Sequence, residues 1–233
     1  SEASMTLRYA PGESFVNSKQ RRVPVSLDAP VFTLTHAMGF KGVLGGEYNF
    51  NRTEASIWKR FWLPASWGKI DCSVKAGAEW NTVPFPLLIL PEANLSYITQ
   101  RETFCLINNM EFLNDRFASM SISYDMNGKL FNRIPLLKNL KWREMFRVRA
   151  LWGTLTDKNN PFKSSNPDLF RFPTRDGKFT SFVMDPKVPY VEASVGIYNI
   201  FKLLHVEYVH RFTYRDNPGI NKNGIRFMVL MVF

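Results

Sequence analysis

Apolar and polar side chains alternate with a period of two along much of the chain. In the clearest segment, Ile70 to Trp80, apolar or small residues occupy every second position, and the residues between them are polar or glycine. The same alternation runs through Ala118 to Asn127, Val191 to Ile197 and Leu204 to Tyr214, with His210 as a polar exception on the apolar side. This period is typical of β-strands that have one apolar and one polar face. These segments are therefore predicted to be strands.

Weaker alternation extends the prediction to about nine strands. The connections alternate between short ones, such as Leu63 to Lys69, and long ones, Asn81 to Asp115 and Thr156 to Lys187. Short turns at one end and long loops at the other are typical of membrane-spanning β-barrels. No convincing amphipathic helix competes with the strands. The additional strand segments are Met5 to Tyr9, Val31 to His36, Tyr48 to Trp62, Phe146 to Thr154 and Ile225 to Phe233.

Hydropathy excludes spanning helices but permits spanning strands. The longest nearly unbroken apolar stretch, Val83 to Leu90, contains prolines and is far shorter than the ~20 residues of a transmembrane helix. Alternating strands cross a bilayer while the mean hydropathy stays near that of soluble proteins, and here it is -0.19. A soluble sandwich or lipocalin-like barrel alternates equally well. Aromatic residues near strand ends and a charged opposite face favour an all-β, antiparallel transmembrane β-barrel.

The two ends of the chain indicate a part of a longer protein. An odd number of antiparallel strands cannot close a barrel, because the first and last strands would run parallel. Ser1 to Arg8 contain no signal peptide, although a protein that crosses the periplasm is made with one. Residues 1–233 are therefore interpreted as the C-terminal portion of one barrel, with upstream strands and a periplasmic domain before Ser1.

Charge and cysteine content narrow the possible ligands. The formal net charge is +10, but the basic residues are divided among separate loops and do not form one face with stacking aromatics, so nucleic-acid binding is not expected. Cys72 and Cys105 show no metal-ligand spacing, which argues against zinc and a disulfide framework. No cofactor is expected.

Several stretches resemble one known family. They are FNRIPLLKNLKWRE at Phe131 to Glu144, VPFPLL at Val83 to Leu88, DKNNP at Asp157 to Pro161, APGESF near the start and the ending from Tyr208. The chain resembles outer-membrane proteins that carry an N-terminal carboxypeptidase-regulatory-like domain and a C-terminal barrel of unassigned function. That barrel is distantly similar to the superfamily of the barrel-assembly insertase and surface antigens. The resemblance implies the C-terminal part of a sixteen-stranded barrel.

The resemblance also directs attention to the loop Asn81 to Asp115. In that superfamily the corresponding loop folds into the lumen and presents an Arg-Gly-aromatic motif to the barrel wall. Here the triplet is missing, and the nearest candidates are Arg101 and Arg116, the latter followed by Phe117. This departure weighs against insertase activity. The apolar segment Pro84 to Pro91 is expected to pack inside the barrel rather than to bind a partner.

Charged residues on the predicted lumen face form the first candidate site. Such a cluster either acts as general acid and base or forms a network that fills the lumen, and we favour the network. The row Ser119, Ser121 and Ser123 lacks a nucleophile-elbow motif and is explained by its strand spacing. No catalytic residue is predicted. The lumen candidates are Glu192, His205, Glu207 and Arg211.

Basic residues in two connections form candidate contact sites. One set lies in the predicted periplasmic connection Gly128 to Glu144 and suits anionic head groups or an acidic partner. A second set in an outer loop suits lipopolysaccharide. Solvated charged loops are the alternative in both places. The first set is Arg133, Lys138, Lys141 and Arg143, and the second is Lys163, Arg171, Arg175 and Lys178.

The leading functional hypothesis is a non-enzymatic barrel in the outer membrane of a Gram-negative bacterium. It would act in or beside the assembly or export of outer-membrane proteins, as a docking or structural subunit. Its expected partners are outer-membrane lipids, lipopolysaccharide and other outer-membrane or periplasmic assembly subunits. The alternatives are a transport or surface-receptor barrel and a membrane-embedded hydrolase.

Overall fold

A computed structural model describes most of the chain and defines its strands. The described residues are 1–17, 19, 21–26, 28–98, 100, 102–163, 169, 172, 174–175 and 177–229. They contain one short α-helix, α1, at Pro135–Leu140 and two 3₁₀ helices, at Phe85–Leu87 and Phe131–Arg133. The strands are β1 Glu2–Tyr9, β2 Phe15–Asn17, β3 Arg22–Pro24, β4 Val31–Gly39, β5 Phe50–Trp62, β6 Lys69–Glu79, β7 Arg116–Asp125, β8 Arg143–Thr154, β9 Thr174–Arg175, β10 Lys178–Phe179, β11 Tyr190–Ile200, β12 Leu204–Arg211 and β13 Asn223–Val229.

Nine of these strands form one large antiparallel sheet. Its order is β1-β4-β5-β6-β7-β8-β11-β12-β13, so each strand pairs with the next long strand along the chain. The prediction of about nine strands is confirmed, and each predicted segment falls on one of them. The end of the last segment, residues 230–233, lies outside the described residues. The sheet is open in the part of the chain that the structure describes, with β1 and β13 at its edges.

One face of the sheet is apolar and carries no covering element in the described residues; we call it the open face. The strand register places the apolar members of each alternating segment on this face, where neighbours such as Ile57 and Val74 pair directly. Their exposed fractions are 47% and 45%. Other exposed members of the open face are Leu7, Leu34, Phe61, Phe146, Val148, Trp152, Val195, Tyr208, Ile225 and Phe227.

The opposite face, which we call the loop-covered face, carries the core. Described residues of the connections 80–115 and 155–189 pack on it and form two apolar clusters, the first of which includes strand residues of β8 and β11. One cluster centres on Phe112, Leu151 and Tyr190, and the other contains Val83 and Leu88. The segment VPFPLL therefore contributes buried side chains to the loop-covered face. Burial of apolar side chains between loops and strands supplies the main stabilisation of this arrangement.

A helix interrupts the connection between β7 and β8, where alternation predicted none. Pro135 occupies its first turn, and Lys141 ends it in the left-handed conformation with φ 55°. Six residues are too few for a helical hydrophobic period to stand out in the sequence. Among the described residues, no helix is long and apolar enough to cross a membrane.

Candidate functional site

Glu192 lies at the centre of a buried charged cluster on the loop-covered face. On β11 it stands opposite Arg149 of β8, whose Nη1 donates to its Oε1 at 3.0 Å. The backbone N–H groups of Cys105 and Leu106 donate to the same carboxylate at 2.9 and 3.1 Å. The Tyr190 hydroxyl donates at 2.9 Å. Glu192 is 1% exposed, so this carboxylate binds the connection 80–115 to the sheet through charge-assisted hydrogen bonds.

Arg211 binds the same connection from β12. Its Nη2 and Nη1 donate to the two carboxylate oxygens of Glu111 at 2.6 and 3.0 Å. The guanidinium also donates to backbone carbonyls, including that of Leu106 at 3.2 Å, and its carbon lies 4.8 Å from the ring centre of Tyr190. No part of the Arg211 side chain is exposed. We call Glu192, Arg149, Arg211 and Glu111 the loop clamp.

Glu207 forms a second buried group beside the loop clamp. Both of its oxygens lie 3.1 Å from Nη1 of Arg147. The Ser194 hydroxyl donates to Oε1, and Nε2 of His205 lies 3.4 Å from Oε2. The Glu207 side chain is 0% exposed and that of Arg147 is 8% exposed. Every carboxylate of the two groups therefore faces one guanidinium, which offsets the cost of burying the charges.

The four lumen candidates predicted from the sequence thus lie on one face and next to one another. Their carboxylates and guanidinium already hold partners in the protein, and their exposure is between 0 and 4%. Glu192 and Arg211 attach the connection 80–115 to the sheet. Glu207 and His205 instead bind partners within the sheet, and His205 also lines a cavity on this face. The candidates are Glu192, His205, Glu207 and Arg211.

Tyr214 lies on the loop-covered side, whereas the alternation predicted that it lies on the apolar face of the strand. The strand β12 ends at Arg211, because the chain then curls around that guanidinium and offers it the carbonyls of Thr213 and Tyr214 at 3.0 and 2.8 Å. Tyr214 adopts φ 52°, and its ring lies 5.1 Å from Phe112 on the loop-covered side. Its hydroxyl donates to the carbonyl of Val188 at 2.6 Å.

The inward-loop candidates separate in the structure. Arg116 begins β7 on the open face, opposite Ala78 and Thr154, whereas Phe117, the next residue, lies on the loop-covered face. A Cβ at Gly77 would be 2.5 Å from the Phe117 ring, so the ring occupies space that only glycine leaves free. Arg116 and Phe117 cannot act on the same face, since adjacent strand residues alternate. Arg101 lies outside the described residues.

Sequence reasoning missed the partners of the clamp and a second loop attachment. Arg147 and Arg149 could have been assigned to the polar face of β8, because both alternate with apolar residues there. Glu111 could not have been found in this way, because it lies in a loop without periodicity. The second attachment is Asp115, whose Oδ2 accepts hydrogen bonds from the Thr156 backbone at 3.1 Å and from Asn159 at 3.0 Å. Asn159 in turn accepts from the backbone of Val83 at 2.8 Å. The motif DKNNP therefore joins the two long connections.

The serine row borders a cavity of about 430 Å³ on the loop-covered face. Ser121 and Ser123 stand opposite Arg149 and Arg147 in the register, and the apolar wall of the cavity includes Phe104 and Phe117. Among the described residues, no hydrogen bond links a serine of the row to a histidine. In the same part of the chain, no group of three or more His, Cys, Asp or Glu side chains could hold a metal ion.

The basic contact candidates whose side chains the structure describes lie at the surface. Lys163 pairs with Asp157 at 3.1 Å, and both side chains are more than half exposed. Arg171 lies outside the described residues, and the backbones of Arg175 and Lys178 pair in the small β9–β10 hairpin. The first set, Arg133, Lys138, Lys141 and Arg143, is exposed around α1.

These features define an all-β protein with one large antiparallel sheet, an apolar open face and buried ion pairs that attach the connection 80–115 to the other face. The model of a family described as "Family of unknown function (DUF5686) C-terminal domain" matches residues 1–162. The chain belongs to this family. The match includes Glu111 and Arg149, whereas Glu192 and Arg211 follow it. No curated protein matches the chain.

Proposed function

We propose that the chain forms part of a β-barrel wall in the outer membrane of a Gram-negative bacterium. The observation that carries this proposal is the open face, which presents apolar side chains from nine consecutive strands of the sheet. Water-soluble monomers rarely expose so extended an apolar surface. The outer surface of a membrane barrel has this composition, with lipid-facing and inward-facing residues alternating along every strand.

The loop-covered face suits the interior of such a barrel. Membrane barrels have polar interiors that are either open or plugged by loops. Here described residues of the connections 80–115 and 155–189 cover part of this face, and the loop clamp attaches the first connection to β8, β11 and β12. A plug held by buried charge pairs resists displacement, because separating one partner leaves an uncompensated charge.

The role that we propose is non-enzymatic: a docking or structural subunit in or beside the assembly or export of outer-membrane proteins. The loop clamp serves attachment, and the sequence resembles barrels of the assembly superfamily. Several connections also expose large apolar side chains that suit protein contact, including Leu44 at 94% and Tyr97 at 75%.

The test is purification of the native protein in mild detergent from fractionated cells, followed by mass spectrometry of the proteins that remain bound. Sedimentation with the outer membrane and recovery of assembly subunits in near-equal amounts are expected. Leu44→Ser changes one of the exposed apolar side chains outside the sheet and is expected to reduce the recovery of bound proteins while sedimentation with the outer membrane stays the same. Recovery of the barrel alone would overturn the docking role, and recovery in the soluble fraction would overturn the barrel.

A transport or receptor barrel is the second candidate, and the cavity of about 430 Å³ favours it, since ligand sites typically have this size. Its lining includes charged side chains such as Arg60 and Asp71, which pair at 2.6 Å. Planar-bilayer recordings separate the candidates. Conductance that persists when the loop Asn81 to Asp115 is deleted supports transport, whereas a closed wild-type barrel supports the structural role.

A further inference from the structure

The connection between β7 and β8 is basic and carries no acidic residue from Gly128 to Arg143. Its cations are Lys129, Arg133, Lys138, Lys141 and Arg143. The next residue, Glu144, is 3% exposed and lies within hydrogen-bond distance of the backbone N–H of Leu130. The exposed charge of this connection is therefore entirely positive.

The same connection exposes large aliphatic side chains. Leu136 is 74% exposed, Ile134 48% and Leu140 44%. Leu136 and Leu140 are four residues apart in α1, which places them on one side of the helix. Exposed leucines beside lysines and arginines form an amphipathic surface, the composition that binds at the interface of an anionic membrane.

Hydrogen bonds attach this connection to its two neighbours at the same end of the sheet. Lys129 donates to the carbonyl of Ala65 at 2.9 Å, and its ammonium lies 5.1 Å from the ring centre of Trp67. The side chain of Asn199 donates to the carbonyl of Lys141 at 2.7 Å. The neighbouring turn exposes Phe201 at 86%. We call the surface formed by Ile134, Leu136, Leu140, Trp67 and Phe201, with the surrounding cations, the basic rim.

The basic rim continues the open face. Tyr124 near the end of β7 and Phe146 near the start of β8 pair directly on that face, and the connection that follows them carries the rim. We infer that the basic rim binds the anionic head groups of phospholipids, with its leucines and aromatics in the interfacial layer. This inference rests on the proposed membrane location and adds a lipid class to it. An acidic protein surface is the competing occupant, but it would not account for the continuity between the basic rim and the apolar open face.

The test places a fluorophore on the rim of the full chain. The variant Leu136→Cys is made in a Cys72→Ser background and is labelled with an environment-sensitive dye. Cys105 is left unchanged, because it is only 1% exposed. The protein is reconstituted into phosphatidylcholine vesicles with or without phosphatidylglycerol, and quenching by head-group nitroxide lipids is measured. Leu44→Cys, at the opposite end of the sheet, is the matched control. Val74→Cys reports on the open face and is measured with lipids that carry the nitroxide on the acyl chain, because Val74 lies midway along β6.

The rim is expected to show a blue shift and strong quenching at position 136 only with phosphatidylglycerol. Each cation removed should weaken the preference for anionic lipid roughly fivefold, so R133Q/K138Q/K141Q should abolish it. Equal quenching in both vesicles, or quenching unchanged in the triple variant, would overturn the inference. The inference would also be overturned if position 136 were protected in native membranes only by a bound protein. If position 74 is not quenched by lipid, the proposed membrane location itself fails.

Discussion

Arg211 and Glu111 are 100 residues apart in the chain, yet their side chains form a bidentate ion pair with no exposed surface on the arginine and 1% on the glutamate. The pair joins the last third of the sheet to a loop that follows its fourth strand. Two parallel N–H to oxygen bonds fix direction as well as distance. The loop position is therefore set by Arg211 on β12 together with the rest of the loop clamp, and the apolar clusters pack around that arrangement.

Breaking this pair should destabilise the protein strongly. Glu111→Gln leaves the buried Arg211 guanidinium without a counter-charge, and loss of one partner from a buried pair costs about 3–5 kcal/mol. Unfolding free energies from urea titration in detergent, followed by tryptophan fluorescence, measure the loss. Lys163→Gln removes the exposed pair with Asp157 and should change the free energy very little. Equal stability of the two variants would contradict the role of the clamp.

Glu192 should control access to the thiol of Cys105. Its carboxylate accepts the backbone N–H groups of Cys105 and Leu106, so Glu192→Gln weakens charge-assisted bonds that hold this part of the loop. In a Cys72→Ser background, labelling of Cys105 by a maleimide should become about tenfold faster, the factor expected for loss of one such bond. If Cys105 is labelled at the same rate in the Glu192→Gln variant and in the protein that retains Glu192, other contacts hold the loop.

The same thiol should react with an unusual dependence on pH. Burial raises the pKa of Cys105 above its ordinary value, so less of the reactive thiolate is present at pH 8 than for an exposed cysteine. Labelling of the folded protein is expected to keep rising above the pH at which ordinary thiols reach their plateau. Protein unfolded in urea is the control and should label with the ordinary pH profile. Coincident profiles would contradict this prediction.

A charge on the open face distinguishes a membrane barrel from a soluble sheet. Val74 lies midway along β6 and is 45% exposed. If the open face contacts lipid, Val74→Arg costs about 2–4 kcal/mol near the bilayer centre, whereas a surface substitution in a soluble protein changes stability by about 0.5 kcal/mol or less. The yield of folded barrel, measured by heat-modifiable mobility on gels, should fall. Ser73→Lys, whose side chain borders the cavity, is the matched control and should retain the yield.

Gly77 should be required for the packing of Phe117. A methyl group at Gly77 would lie 2.5 Å from the Phe117 ring and 3.0 Å from the Glu54 side chain, an overlap that costs about 1–3 kcal/mol when the ring cannot move freely. Gly77→Ala is expected to lower the urea midpoint, and adding Phe117→Leu should recover part of the loss. A double-mutant cycle with no coupling would show that the two positions are independent.

The strand β8 illustrates how far the sequence carries the argument. Alternation of Arg147 and Arg149 with Phe146 and Val148 predicts two faces, and the register confirms them. The register of the structure then places the two arginines on the same face as Glu192 of β11. The alternation contains nothing about Glu111, because a single acidic residue in a loop has no period that links it to a strand.

By itself the sequence determined the number of long strands, their order and the two faces of each strand, because a period of two is a local property of the backbone that a few neighbouring residues express. The tertiary structure alone decided which loop residues meet those strands, where β12 ends around Arg211, and that a short helix carries the basic rim. These features depend on pairing between residues far apart in the chain. Such pairing follows from burial and charge neutralisation in three dimensions, and no local pattern records it.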